Sequence, residues 1–417
     1  MVADWRFLNC RGSSGWSWRW SRWRDTADTT AGDAMGAVTG ARSAPRLLFI
    51  DNIRWSMIIL VLSMHACDTY SPFGNWYYVD RRPTGLGTAL FFGVYQSFLQ
   101  AFFMAALFFI AGYFAAAAYD RKGFAPFVRD RFLRLGVPTL LFMLVIGPLT
   151  QYFLSWTWGS GGFGHQWFKH IRNGEWLSET GPMWFCAALL VFSIVYGLIR
   201  RSGRSEPQIS PGDDRASSLW LVAFVIAMAA STFLVRVGVD EGASVLNVHP
   251  GDFPQYILMF AAGALGCRGN WLTALPERFC IRFGALALAA SVPLMAVLIL
   301  FGGGLQGETQ QYSGGFNWVS AGKCLWEALV CVGMGLLMLA VYRRRFDWQG
   351  PVSKWLSDNA FGVYLIHPPV LIGAAILLHT LALNAIAKAL LLTVVAAIGS
   401  FAASAFVLRK SPLRAIV

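Results

Sequence analysis

Apolar residues along the chain fall into blocks of roughly 20, the length an α-helix needs to cross a bilayer core. The pattern predicts spans near 47–66, 88–118, 135–155, 182–199, 218–236, 253–267, 283–302, 320–341, 356–378 and 386–408. The sixth block is short and calls for a tilted or re-entrant piece to complete it, while the second is long enough to tilt or to run out along the inner surface. No internal repeat is visible. The expected fold is an all-α integral membrane protein, a bundle of about ten transmembrane helices. It divides into an N-terminal extension (1–46), a membrane domain (47–410) and a short cytoplasmic tail (411–417).

Composition agrees with this pattern. Apolar residues make up 56% of the 417 positions and charged residues only 13%, against ~25% charged in soluble domains. The formal charge of +12 does not point to nucleic acid, because Lys and Arg gather in short clusters between the apolar blocks rather than along one stripe. With the N-terminus inside, the inner segments hold roughly five times as many Lys and Arg as the outer loops, which places both termini in the cytoplasm. Arg54, Lys323 and Lys388 lie inside the predicted spans, and Arg236 closes the span at 218–236.

The extension carries Trp16, Arg19, Trp20, Arg22, Trp23 and Arg24 with no apolar core, so it is not a signal peptide. Two readings fit it: a Trp and Arg cluster lying on the membrane surface, or translation that begins at Met35. The cysteines form no CxxC pair and no metal site is expected. His165, His170, His249 and His379 fall in or beside outer loops and are expected to be solvated.

The first span holds Asp51, Arg54 and His65. Charged groups in a bilayer cost roughly 2.5 to 3.5 kcal/mol each, so they persist with a partner or a purpose. Eleven residues separate Arg54 from His65, just over three helical turns, so both project from nearly one face about 16 Å apart along the axis. Asp51 can pair with Arg54 one turn on. One reading is a structural pair with an interfacial histidine; the other makes His65 a general base, the side chain best matched to removing a hydroxyl proton near neutral pH. In the following basic segment, Arg131 and Arg134 are three apart, so on an α-helix their guanidiniums share a face and can grip phosphate. They also serve the inner-loop charge rule alone.

Together these features resemble the acyltransferase-3 family. The similarity rests on Arg54 followed eleven residues later by His65, FFIAGYF at 108–114 followed by a basic loop, Arg131-x-x-Arg134 with Pro138 nearby, GPMWF at 181–185 and AFGVYLIHPPV at 360–370. The resemblance implies transfer of an acetyl or succinyl group from acyl-coenzyme A to a hydroxyl of an extracytoplasmic carbohydrate. It implies His65 as catalytic residue with Arg54 as its partner, and Arg131 with Arg134 as donor contacts. Trp184, Tyr364 and His367 enter from the motifs as acceptor or structural candidates, with Asp51 beside them. No permanently bound cofactor is implied, only acyl-coenzyme A as co-substrate. The expected setting is a bacterial inner membrane, with lipid and glycan as the other partners. The rival reading is a secondary transporter, whose usual inverted repeats are not visible here.

Overall fold

The computed structural model describes residues 46–80, 84–152, 162–203, 214–244, 248–406 and 408–410. The 411–417 tail and all of the N-terminal extension before Arg46 lie outside them. Helices form wherever the apolar blocks predict them: α1 Leu48–Tyr70, α2 Leu86–Lys122, α3 Phe124–Thr150, α4 Phe163–Arg172, α5 Trp184–Arg201, α6 Asp214–Gly238, α7 Phe253–Arg268, α8 Glu277–Phe301, α9 Trp318–Arg345, α10 Pro351–Leu377 and α11 Ala385–Phe406. Among the described residues nine helices are long and apolar enough to cross a membrane. The remaining expected span, the short sixth block, is α7, which has only 16 residues and rises about 24 Å, short of a ~30 Å hydrocarbon core.

Helix ends sort into two groups. Arg200 and Arg268, closing α5 and α7, both pair with Asp120 near the close of α2. Arg343, closing α9, donates to the carbonyls of Thr273 and Leu275, and Asn52 near the start of α1 donates to those of Phe346 and Trp348. These ends form one basic end of the bundle. The opposite end carries His65 and is called the histidine end.

The long helix α2 is the axis, with 83% of its apolar window buried against 17% for the peripheral α8. It packs along α7 so closely that the backbones touch. A Cβ on Gly112 would collide with the carbonyl of Phe260, and one on Gly263 with that of Phe109. With no hydrophobic drive between helices in lipid, such small-residue contacts are how membrane helices gain packing energy.

Candidate active site

At the basic end, the first-turn acid of α1 organises two arginines. Asp51 lies 2.5 Å from Arg46 Nε and 3.1 Å from Arg54 Nη1, the i,i+3 pairing its spacing allows. The buried Arg54 guanidinium also sits 4.9 Å over the ring of Phe114, the last residue of FFIAGYF. Arg131 donates to the carbonyl of the same Phe114 at 3.3 Å. Phe114 therefore brings Arg54 and Arg131 to one place, although 77 positions separate them in the chain.

The expected face shared by Arg131 and Arg134 is not what forms. A π-helical turn occupies Phe132–Gly136, and its wider winding rotates Arg134 away from the α-helical register. Arg131 is 2% exposed with its charge over Phe127 at 5.2 Å, whereas Arg134 stays partly exposed and pairs with Asp130 at 2.9 Å. One arginine is inside the bundle and the other is at its rim.

At the histidine end, His65 sits in a stack of three rings. Trp76 lies flat against it at 3.7 Å between centroids, and His367 lies near-parallel on α10 at 5.4 Å. His65 Nδ1 is 3.2 Å from Asp68 Oδ2, one turn further along α1. Gln96 of α2 donates to the other oxygen of Asp68 at 2.6 Å. The His65 side chain keeps 19% exposure, whereas His367 beneath it is buried.

Trp76 belongs to the loop after α1, and that loop is fastened at its far end. Asp80 N–H donates to Thr69 O at 2.8 Å, and the Asp80 carboxylate lies 3.3 Å from the buried Lys388 and 3.4 Å from His379. Lys388, a basic residue within a predicted span, thus ties the loop to α11 and holds Trp76 over His65. His379 is a loop anchor through Asp80 and Tyr78, not a merely solvated side chain.

The placement of His367 follows from the proline after it. Pro368 has no N–H, so the Tyr364 carbonyl loses its helical donor. His367 Nδ1 takes that role at 2.9 Å, which puts the hydrogen on Nδ1 because a carbonyl can only accept. Nε2 is then a lone-pair acceptor, buried and without a partner among the described residues. Trp76 Nε1, a donor, is likewise unpartnered among them. The Tyr364 hydroxyl donates to Pro182 O, anchoring α10 to the GPMWF segment. Gly181 there takes a φ of +49°, and a Cβ on it would strike the Phe142 ring and the Tyr77 hydroxyl. Trp184, half-buried, packs 5.7 Å from Tyr256 rather than in the histidine stack.

The acyltransferase domain family matches residues 47–409. The chain belongs to the acyltransferase-3 family. Among similar curated proteins are the glucans biosynthesis protein C of Salmonella paratyphi A and that of Salmonella agona, each 25% identical over 351 residues, covering 78% of this chain and 83% of theirs. No solved structure matches. Family membership makes the protein a membrane acyltransferase and sets aside the transporter reading.

This acyltransferase also contains a buried charge lattice that the pattern of spans did not reveal. Because α7 starts beside Gln100, well inside α2, the chain ahead of it enters the bundle and its polar groups must be met there. Arg236 at the end of α6 is 1% exposed. It pairs with Asp252 at 2.7 Å, Glu327 at 2.8 Å and Glu241 at 3.6 Å. Lys323 pairs with Glu241 and, at 3.7 Å, with Glu327. Gln100 completes the lattice by donating to Asp252 and Tyr256, both at 3.0 Å. In the loop, burial favours the neutral form of Glu241, but Lys323 and Arg236 prevail and hold its carboxyl down at about 2. His170, expected in solvent, is instead 3% exposed and faces Glu175 at 3.2 Å.

Proposed function

We propose that this acyltransferase moves an acetyl or succinyl group from acyl-coenzyme A on the cytoplasmic side to a hydroxyl of an extracytoplasmic carbohydrate, with glucan the first acceptor to test because the relatives are glucans biosynthesis proteins. The basic end faces the cytoplasm on this reading, in keeping with the positive-inside rule, and the membrane is a bacterial inner membrane. The observation that carries the proposal is the arrangement around His65: a partly exposed imidazole flanked by an unpartnered donor, Trp76 Nε1, and an unpartnered acceptor, His367 Nε2. A hydroxyl both donates and accepts, so a polyhydroxyl ligand satisfies both nitrogens while offering a proton to His65.

The chemistry is one displacement. The acceptor oxygen attacks the thioester carbonyl as His65 takes its proton; the carbon–sulfur bond breaks, and the leaving thiolate takes the proton from His65. At the other end, Arg134 at the rim and Arg131 with Arg54 further in provide positive charge for the donor's phosphates.

Sealed vesicles of known orientation test the proposal, with acyl-coenzyme A and glucan offered on chosen sides. Product is expected only with donor at the basic end and acceptor at the histidine end, and His65→Ala should insert normally yet lose at least ~100-fold in rate. Equal product with both substrates at the basic end alone would refute the sided reaction.

A further inference from the structure

We propose that Asp68, steadied by Gln96, is the positioning residue that keeps the hydrogen of His65 on Nδ1 and leaves Nε2 as the base. The inference rests on the reading of His65 as the general base, and it assigns a role to a residue outside the motifs that carry the family resemblance.

The geometry leads to it in three steps. Asp68 Oδ1 already accepts from the Gln96 amide at 2.6 Å, and Oδ2 faces His65 Nδ1 at 3.2 Å. A carboxylate offers only lone pairs, so the hydrogen in the second contact sits on the imidazole. The neutral ring has one hydrogen, so its free lone pair is on Nε2, the atom that can receive a substrate proton.

The surroundings then distinguish two imidazoles that lie 5.4 Å apart. When His65 takes a proton, its new positive charge meets the Asp68 carboxylate and the face of Trp76 at 3.7 Å, both of which attract a cation. His367 has its Nδ1 hydrogen committed to the Tyr364 carbonyl and, among the described residues, no carboxylate against its ring. Of the pair, His65 alone among the described residues has a partner for the charged form, and a base oriented by a third group is the arrangement that general-base sites use.

Asp68→Asn is the discriminating change because Gln96 dictates its outcome. The Gln96 amide needs an acceptor, so the new side chain turns its oxygen toward Gln96 and its NH₂ toward His65. That donor displaces the hydrogen from Nδ1 to Nε2 and removes the base without removing the ring. The loss expected in kcat is ~10²- to 10⁴-fold, with the KM for the acyl donor changed by no more than about threefold because donor binding does not use His65.

The readout besides rate is the ¹⁵N spectrum of histidine-labelled protein, with the signal of His65 among the six histidines assigned by its loss in His65→Asn. Wild type should show hydrogen on Nδ1 of His65, and Asp68→Asn should show it on Nε2. In a His65→Ala background, Asp68→Asn should cost nothing further. A wild-type hydrogen on Nε2 would overturn the proposal even if the variant fails to accumulate, as would a kcat within about threefold of wild type in Asp68→Asn. Near-normal rate in His65→Ala would instead remove the underlying assignment of the base, a separate failure.

Discussion

Replacing Arg236 by methionine should be among the most destabilising single changes at the histidine end. The side chain is 1% exposed and serves three carboxylates, those of Glu241, Asp252 and Glu327. Without it, among the described residues Lys323 is the remaining ion-pair partner of Glu241 and Glu327, and Asp252 keeps the neutral Gln100 and Tyr256. Removing one partner from a buried pair costs about 3–5 kcal/mol because the other charge is left uncompensated, a factor of roughly one hundred to several thousand in the folding equilibrium. Arg344 supplies the control, since its pair with Glu277 is 58% and 39% exposed and such pairs contribute about 0–1 kcal/mol. Purified Arg236→Met and Arg344→Met should be compared by reversible denaturation in the same detergent. Arg236→Met combined with Glu327→Gln should recover part of the loss, because the double change removes an unpaired acid together with its cation. If Arg236→Met costs no more than Arg344→Met, the lattice is hydrated rather than sealed, and the argument from burial is wrong.

Three further outcomes are expected. Gly112→Val should lower the yield of folded protein sharply while leaving membrane targeting intact, measured as the monodisperse fraction after extraction, because its side chain meets the α7 backbone. Lowering the pH should erode stability between about 4.5 and 2: Glu241 has its carboxyl held at about 2 against an ordinary 4.5, so its pairing contributes fully above 4.5 and is lost as acid protonates it in the fold. Glu241→Gln should flatten that part of the profile. On the proposed donor reading, Arg134→Gln should raise the KM for acyl-coenzyme A more than it lowers kcat while accumulating normally, and should leave an acyl donor truncated before its phosphates unaffected. An equal loss with both donors would make Arg134 structural.

The spans were legible because lipid allows few solutions: a block of roughly 20 apolar residues becomes a helix whatever surrounds it. The Asp51 and Arg54 pairing was legible for a similar reason, being one turn of one helix. Asp68 was within reach of the same rule, three residues after His65, but reads in sequence as an ordinary polar residue at a helix end. Trp76 and the lattice were not legible. Arg236, Asp252 and Glu327 come from three helices or their approaches, and their meeting depends on how deep the short α7 begins. A signal was available in Lys323, a charge inside a span that needed a partner, and its partners Glu241 and Glu327 lie on either side of it in the chain. The π-helical turn between Arg131 and Arg134 is a local rewinding set by packing, which side-chain spacing cannot reveal.

The two ends of the candidate site are held by a single rigid element, and that constrains how the reaction works. Arg54 and His65 stand about 16 Å apart on α1, roughly half of a hydrocarbon core, and the buried residues between them are the apolar Met57, Ile58, Val61 and Leu62 with Ser63, whose hydroxyl is engaged by Leu60 O and the Tyr95 hydroxyl. A phosphate meets no cationic side chain on α1 between Arg54 and His65 and would bear most of its desolvation cost there. A neutral thioester arm has no such cost. Charge recognition at the basic end and proton removal at the histidine end can therefore be separate tasks performed on one extended donor. On the proposed reading, binding energy gained at the arginines serves to place the thioester carbonyl beside an imidazole that α2, through Gln96 and Asp68, holds in place. Because that energy is realised far from the reacting atoms, a loss at the donor's phosphate end reaches the chemical step only through misplacement of the carbonyl.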